Sequence, residues 1–451
     1  METKTQLAKL GLFDAKVPRY TSYPTAPHFS TEVNGGDYAS WISALAPGSS
    51  ISLYVHVPFC RRLCWFCACR TQGTQSESPV AAYLEVLKAE LKMLKRQLPE
   101  GMTLSRLHWG GGTPTLLSPE MMNELAGAIA DVAPFAPNAE FSVEIDPNEI
   151  DDARLKVLAA AGMNRASIGV QDFDDEIQKT IGRIQGYDIT RDAVEAIRSH
   201  GVYSLNADIL FGLPHQSQER ITESVQKLLS LEPDRVALYG YAHVPWMAKR
   251  QQMIPSDALP TPEERLELFE TARRLFLWDN YAEIGIDHFA TQDDGLTIAQ
   301  KAGRLRRNFQ GYTDDTSDVL IGVGASSISR FPQGYTQNAP ATGAHTGAIR
   351  EGRFSVTKGH RFTPEDKLRS RIIEMIMCDF KVDSAELQEG FDVPAAQLQV
   401  MLDQADSAFP GMLDRRNGDL FIPEAARPLT RMIARAFDAY DLSKAGHSSA
   451  I

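Results

Sequence analysis

Between residues 51 and 290, short apolar segments alternate with longer amphipathic ones, and that alternation restricts the chain to few architectures. The strand-like segments are SLYVHV (52–57), RLHWG (106–110), EFSVEI (140–145), RASIGV (165–170), NADILFG (206–212) and RVALYGY (235–241). EIGIDHF (283–289) is a candidate seventh strand. Helical patterns fall between them at 80–98, 118–132, 151–161, 187–200, 217–231 and 262–279. Ser118-Pro119-Glu120 marks one helix start, a capping serine with proline at the first helical position, and Ser217 is a second candidate cap. Alternating β and α segments predict a parallel sheet with right-handed crossovers. About six such units suggest a curved, incomplete barrel, although periodicity does not separate it from a doubly wound sheet. In both, chemistry gathers at the C-terminal ends of the strands.

Two additions flank this 51–360 body. Residues 1–50 contain PRYTSYPTAPHF, rich in proline and aromatics, and read as an irregular packed arm. Residues 361–451 read as a mainly helical domain, with a short hairpin around GDLFIP (418–423) and a mobile polar tail, SKAGHSSAI. No apolar run approaches the roughly 18 residues of a membrane span. The first residues lack the apolar core of a signal peptide, so a cytoplasmic location is expected. A formal net charge of −12 argues against a broad nucleic-acid surface, which would be basic. An anionic substrate would have to be met by local Arg or Lys residues. With no heptad or exposed apolar stripe in view, a monomer is expected.

Four of the five cysteines fall between positions 60 and 69; the fifth, Cys378, stands in an apolar stretch and reads as a small buried hydrophobe. A clustered, odd set without an export signal fits metal chemistry better than disulfide stapling. The core is Cys60-Arg-Arg-Leu-Cys64-Trp-Phe-Cys67, directly after the first strand. Three thiolates on one loop can wrap a compact thiophilic centre, and thiolates are the usual ligands of iron–sulfur clusters. Structural zinc usually draws on two separated ligand pairs, and a redox dithiol needs only two cysteines. The iron–sulfur assignment is therefore preferred. Three ligands on a cubane leave one iron open.

Cys-x3-Cys-x2-Cys after the first strand of a β/α body resembles the radical S-adenosylmethionine (SAM) superfamily. YVHVPFCRRLCWFCAC, HWGGGTPT, VEIDP, GVQDF, ADILFGLP, YAHVP, IDHFA and RNFQGYT follow in an order that looks like the oxygen-independent coproporphyrinogen III oxidase family. The likeness runs from PRYTSYPT through the C-terminal part. It implies an α/β fold, a curved incomplete (β/α)6-type radical SAM barrel with an N-terminal arm and a small helical C-terminal domain. It also implies a [4Fe-4S] cluster held by Cys60, Cys64 and Cys67, with SAM chelated at the open iron and cleaved reductively to a 5′-deoxyadenosyl radical. The implied reaction converts two propionates of coproporphyrinogen III to vinyl groups, giving protoporphyrinogen IX in haem biosynthesis, with an electron donor such as flavodoxin or ferredoxin. A haem chaperone and a haem-degrading radical SAM enzyme are alternatives on the same scaffold; the arm, Cys69 and RNFQGYT favour the oxidase.

The resemblance assigns residues position by position. Tyr54, Gly111, Glu144 and Ile328 would contact the cluster-bound SAM. Phe66, Gly112, Thr113, Gln171, Arg183, Asp208 and Ala242 would contact a second SAM. Cys69 would act in turnover or line the pocket, because a fourth thiolate on the cluster would block the iron that SAM needs. Coproporphyrinogen III carries four propionates, so cations should face its cavity; Arg19, Arg307 and Arg330 are candidates. His56, His108, His243 and His288, at strand ends or the turns after them, read as hydrogen-bonding or packing residues.

Overall fold

The computed structural model describes residues 2–441 and 449–451. Among them, twelve strands form one open sheet. In chain order they are β1 (Ser50–Val57), β2 (Thr103–Gly111), β3 (Phe135–Ile145), β4 (Arg165–Gln171), β5 (Ser204–Phe211), β6 (Arg235–Gly240), β7 (Ala282–Ile284), β8 (His288–Ala290), β9 (Leu320–Val323), β10 (Ile328–Phe331), β11 (Gly334–Asn338) and β12 (Val356–Arg361). The spatial order is β12-β11-β10-β9-β1-β2-β3-β4-β5-β6-β8-β7. From β9 to β6 every pairing is parallel, and the strands outside that block are antiparallel. Six helices serve as crossovers or close the series: α1 (Ser78–Gln97), α2 (Pro119–Ala130), α3 (Asp152–Ala160), α4 (Tyr187–Ser199), α5 (Gln218–Leu229) and α6 (Pro262–Trp278). The Ser118 and Ser217 side chains cap α2 and α5 by accepting from the Met121 and Arg220 amides.

Side chains alternate between the faces of a strand, and here the two faces differ in chemistry. Leu53, Val55, Leu107, Trp109, Phe141, Val143, Ile168, Ala207 and Ile209 belong to the large core shared with the crossover helices. The intervening positions carry Tyr54, His108, Glu144, Ser167 and Asp208. One face of the sheet is thus committed to burial and the other is left polar.

Four expectations are corrected. EIGIDHF is not one strand: β7 and β8 pair antiparallel, and the chain reverses at Gly285 with φ +55°. A Cβ there would come within 2.1 Å of the Tyr312 ring, so the turn needs glycine. The sheet also gains β9 to β12, whose short runs carry too few alternating residues to stand out in the sequence. The arm is less irregular than its prolines suggest, holding helices at Glu2–Lys9 and Gly35–Ser43, the second with an Asn34/Asp37 capping box. The tail expectation falls partly on residues 442–448, outside the described residues, but 449–451 are docked: Ser449 bridges Lys16 and the Ala450 amide donates to Ala15 O at 2.8 Å.

The arm divides between two cores. Tyr38, Trp41 and Ile42 join the main core, whereas Leu7, Leu12, Tyr20 and Tyr23 pack with Ile372, Ile376, Leu402 and Phe437 of the C-terminal helices. Tyr20 Oη also donates to Asp438 at 2.9 Å. The expected hairpin is present as Asp414–Arg416 paired with Asp419–Phe421, joined by Lys381–Val382. Cys378 is fully buried among Ile284, Leu305 and Tyr312. No helix among the described residues is long and apolar enough to cross a membrane.

An ion-pair network sits at the start of the parallel strands, opposite the end where β1 leads into the cysteines. Glu140 accepts from Arg165 and lies 2.9 Å from Arg106, while Asp294 binds Arg235 at 2.7 Å and Arg165 at 3.3 Å. Burial opposes the charge of Glu140, but Arg165, Arg235 and Arg106 outweigh it and bring its pKa down to about 2. A carboxyl depressed in the folded state stabilises above its unfolded pKa, and that contribution is lost as pH falls towards 2. Glu140→Gln should therefore lower the unfolding free energy at pH 7 by about 3 kcal/mol, since it strands buried cations. In urea titrations the deficit should shrink between pH 5 and 2; an equal deficit at both ends would mean that the charge is not what matters.

Candidate active site

The site begins where β1 ends. Phe59–Cys60 and Gln72–Gly73 form a short parallel pair that closes the base of the cysteine loop, with the Thr74 amide donating to Cys60 O at 3.0 Å. Within this loop Cys60, Cys64 and Cys67 are half-buried free thiols, and Cys69 is exposed. The Trp65 amide donates to Ile181 O at 2.9 Å, fastening the loop to the segment after β4. Arg183 comes from the same segment: its Nη1 donates to Cys64 Sγ at 3.5 Å and its Nη2 to Gly169 O and Gln185 Oε1, both at 2.8 Å. The Arg183 Nε is buried without a partner.

The loop after β2 is fitted tightly against this one. The Gly112 amide donates to Val57 O at 2.8 Å and the Thr113 amide to Phe59 O at 2.7 Å. Gly111 adopts φ +112°, and a Cβ there would lie 2.5 Å from the His56 ring, so the glycine is required on both counts. Its amide donates to Glu144 Oε2 at 3.1 Å, and Glu144 Oε1 lies 3.3 Å from His108 Nε2. His108 stacks on Tyr54 at 5.7 Å. His56 Nε2 donates to Arg70 O at 3.3 Å, which leaves Nδ1 to accept from Tyr54 Oη at 3.0 Å. Burial lowers the His56 pKa, consistent with a neutral ring.

Glu144 shows what kind of space these groups face. Its side chain keeps 42 % of its surface accessible, yet burial is the largest influence on it. The side chain is thus half-exposed on the polar face of the sheet. Burial would raise its pKa, but His108 and the Gly111 amide overcome that and hold it below the usual carboxylate range. Asp208 goes the other way, pushed up to about 7 by burial and by the charge of Glu144. Its Oδ1 accepts from Asn206 Nδ2 at 3.0 Å. The two carboxylates thus differ in protonation near neutral pH.

The remaining expected residues fall around this row. Gln171 ends β4 with φ +71°. Phe66 packs beside the core of Ile177, Ile181, Leu210 and Tyr241. Ile328 opens β10, and its carbonyl abuts Gly322, the register partner of Tyr54. Ala242 follows β6. Arg19 and Arg307 line one cavity of about 830 Å³, together with Gly240, Ala242 and Asp287. Arg330 stands apart on β10, opposite Tyr335, and is not among the residues lining that cavity.

Several contributors carry no sequence signal. Gln251, 1 % exposed, donates through Nε2 to Phe66 O at 2.7 Å and Ala242 O at 3.0 Å, joining two expected SAM contacts. Arg250 Nη2 donates to Thr71 Oγ1 at 3.1 Å and Cys69 O at 3.3 Å. Both lie in PWMAKRQQM, where nothing marks a site. Asp287 binds His288 Nδ1 at 2.7 Å, and His288 Nε2 lies 3.3 Å from Tyr239 Oη.

The radical SAM superfamily model matches residues 54–228, from β1 to α5. An oxygen-independent coproporphyrinogen III oxidase of Paracoccus denitrificans is 65 % identical over 453 residues, covering 100 % of both chains. A namesake in Bradyrhizobium diazoefficiens is 41 % identical, covering 97 % of this chain and 98 % of its own. The solved structure of coproporphyrinogen III oxidase from Escherichia coli, described as a radical SAM enzyme, aligns with a TM-score of 0.89 at 32 % identity, covering 95 % of this chain and 100 % of that one. The chain belongs to the oxygen-independent coproporphyrinogen III oxidase family.

Membership of this radical SAM family implies a [4Fe-4S] cluster and SAM. The residues present fit both. Among the described residues no three His, Cys, Asp or Glu side chains converge on a single metal ion. A cubane sets a different condition, because each thiolate takes a separate iron. Three free thiols on one closed loop, the buried Arg183 guanidinium against one of them, and inward-facing Glu144 and Gly111 beside them meet that condition. A hydrogen bond from Cys69 lowers Cys67 to about 6 and, in return, holds the Cys69 thiol well above its ordinary value. Cys67 is accordingly the thiolate of this pair and Cys69 the thiol. Burial pushes Cys60 up to about 11, so cluster binding there must displace a proton.

Replacing Cys60, Cys64 or Cys67 singly by Ser should remove most of the iron, sulfide and brown absorbance from the anaerobically purified protein. Cys69→Ser should keep them. Loss of iron from the Cys69 variant alone would reverse the division of ligands.

Proposed function

We propose that this chain performs the oxygen-independent oxidative decarboxylation of coproporphyrinogen III to protoporphyrinogen IX. The observation that carries it is the full-length 65 % identity with an oxidase of that name, on a chain whose thiol loop is bonded to the glycine loop that Glu144 engages. Each converted propionate loses one hydrogen atom, one electron and carbon dioxide, leaving a vinyl group. When bound, the cluster and SAM supply a 5′-deoxyadenosyl radical that takes the hydrogen atom. The electron that remains passes to an external acceptor, and an external donor such as flavodoxin or ferredoxin provides the reductant.

The chain's own residues bind, orient and exclude water. Cys60, Cys64 and Cys67 hold the cluster. Tyr54, Gly111, Glu144 and Ile328 surround the SAM on it, with the ionised Glu144 suited to the cationic or hydroxyl-bearing parts of SAM. Phe66, Gly112, Thr113, Gln171, Arg183, Asp208 and Ala242 hold a second SAM, and Gln251 keeps Phe66 and Ala242 in register. Two propionates react and each oxidation uses one SAM, which a stored second molecule would serve. Cys69, beside Cys67, acts in turnover or lines the pocket. Arg19 and Arg307 are assigned to substrate carboxylates, and Arg330, the third candidate, lies outside the cavity they share.

Anaerobic incubation of the reconstituted protein with SAM, reductant and coproporphyrinogen III should yield product masses showing two successive losses of carbon dioxide with two hydrogens. Unchanged substrate, alongside active SAM cleavage, would remove the assignment. Equilibrium binding to the unreduced protein should give about two SAM per chain, and Asp208→Asn or Gln171→Ala should lower this towards one while the iron content holds, because a bound polar group loses its partner. A wild-type stoichiometry of one would delete the second site.

A further inference from the structure

Between β4 and α4 the chain runs through QKTIGRIQG, and two glutamines of that stretch turn inward. Gln178, in the short helix Asp175–Thr180, is 2 % exposed, and Gln185, just before α4, is fully buried. They bond to each other: the Gln185 amide donates to Gln178 Oε1 at 2.9 Å, and Gln178 Nε2 donates to Gln185 O at 2.6 Å and to Asp172 O at 2.8 Å. Gln185 Nε2 donates to Gly169 O on β4 and to Thr190 Oγ1 on α4, both at 3.1 Å. An amide nitrogen so engaged turns its oxygen the other way. That oxygen, Gln185 Oε1, accepts from Arg183 Nη2 at 2.8 Å.

Arg183 therefore has one nitrogen bonded twice, to Gln185 Oε1 and to Gly169 O. Two bonds from one nitrogen fix the plane of a guanidinium, and with it the direction of the other two nitrogens. Nη1 is thereby directed at the thiol loop, where it donates to Cys64 Sγ at 3.5 Å. Asp146 Oδ2 lies 3.9 Å from the same Nη1, beyond hydrogen-bonding distance. Burial opposes the charge of Arg183, but Asp146 and the Cys64 sulfur outweigh it and keep the guanidinium protonated. The other cations of the loop have different surroundings. Arg250 donates to Cys69 O and Thr71 Oγ1, Arg61 stands 3.8 Å from Glu149, and Arg62 and Arg70 are exposed to solvent, which screens them.

A donor aimed at a ligand sulfur has a direct electronic consequence. Hydrogen bonds to the sulfurs are among the factors that set the reduction potential of an iron–sulfur cluster. Reduction adds one electron, which the external donor loses, and part of the added charge falls on the thiolate sulfurs. An N–H directed at one of those sulfurs stabilises the more negative, reduced state. The potential rises accordingly, and a charged donor acts more strongly than a neutral one. The effect belongs to one bond on one sulfur and does not require a net charge for the whole loop.

Resting on the ligand assignment and the reaction proposed above, we infer that Gln185 is a positioning residue that holds Arg183 Nη1 on Cys64 Sγ, and that this N–H···S bond raises the reduction potential of the cluster. Gln178 supports it from behind by fixing the Gln185 backbone. Asp146 is the counterweight, because its carboxylate draws on the same Nη1 and moderates the positive charge that the sulfur feels. The Arg183 Nε, buried and without a partner, remains for the second SAM, so the two duties of this side chain fall on different nitrogens. Gln185 thus acts on the entry of the electron without touching the cluster, SAM or substrate.

The test is a redox titration of the cluster-loaded, SAM-free protein, followed by electron paramagnetic resonance of the reduced cluster. At the wild-type midpoint, Arg183→Gln should raise the ratio of oxidised to reduced cluster about tenfold, a shift of about 59 mV to more negative potential for a one-electron couple. Gln185→Leu removes no charge, yet should move the ratio in the same direction by at least about threefold, because the guanidinium loses its orientation. Asp146→Asn should move the potential the opposite way. Iron and sulfide content report whether each variant keeps its cluster; if Arg183→Gln does not, Gln185→Leu and Asp146→Asn decide. A wild-type potential in cluster-loaded Arg183→Gln or Gln185→Leu overturns the inference, as does a negative shift in Asp146→Asn. Turnover plays no part in the titration, so a failure to oxidise coproporphyrinogen III would count against the proposed reaction alone.

Discussion

The inward carboxylate of Glu144 holds the site together. It accepts the Gly111 amide, meets His108 and, through the stacking of His108 on Tyr54, ties the end of β3 to β2 and β1. That places the loop carrying the thiols and the glycine loop beside one anion on the polar face of the sheet. Burial and, after it, the same charge lift the pKa of Asp208, while His108 and the Gly111 amide hold that of Glu144 down. None of this survives a slip of register. A shift of one residue in β3 would turn Glu144 into the apolar core and Val143 onto the polar face.

The opposite end of the sheet bears the complementary load. Glu140 and Asp294 neutralise Arg106, Arg165 and Arg235 across neighbouring strand starts, pinning the register on which Glu144 depends. Cofactor chemistry and fold stability are thereby placed at the two ends of the same parallel strands, as is usual for β/α folds. The arm and the C-terminal helices then cover the cavity beside β6, with Arg431 tying Val17 and Pro18 to residues 449 and 450.

Much of this was legible in the sequence because its determinants are local. Six of the seven parallel strands, β1 to β6, show themselves as short apolar segments between amphipathic ones, the crossover helices by their helical pattern and capping serines, and the cysteine loop by spacing alone. The elements that escaped are those whose stability is borrowed. β9 to β12 are short and owe their pairing to the edge of a sheet already formed, while the helix at Glu2–Lys9 is held by Leu7 packing on distant C-terminal residues. EIGIDHF shows the limit from another side: its composition is strand-like, but the Tyr312 ring against Gly285 dictates a turn. Within the site, motif-borne residues such as Glu144 and Asp208 could be found, whereas Gln251, Arg265 and Arg431 act through backbone carbonyls far away in sequence. Arg330 answers the same sequence criterion as Arg19 and Arg307 but lies outside the cavity those two share.

The central claim is that this site aims a carbon-centred radical at substrate propionates. The most direct measurement is isotope transfer, using coproporphyrinogen III deuterated on its propionate methylenes in a strictly anaerobic, reductant-driven turnover. Mass spectrometry of the 5′-deoxyadenosine formed should find one deuterium per molecule, accumulating in step with carbon dioxide release. Unlabelled 5′-deoxyadenosine formed alongside full conversion to protoporphyrinogen IX would contradict the account.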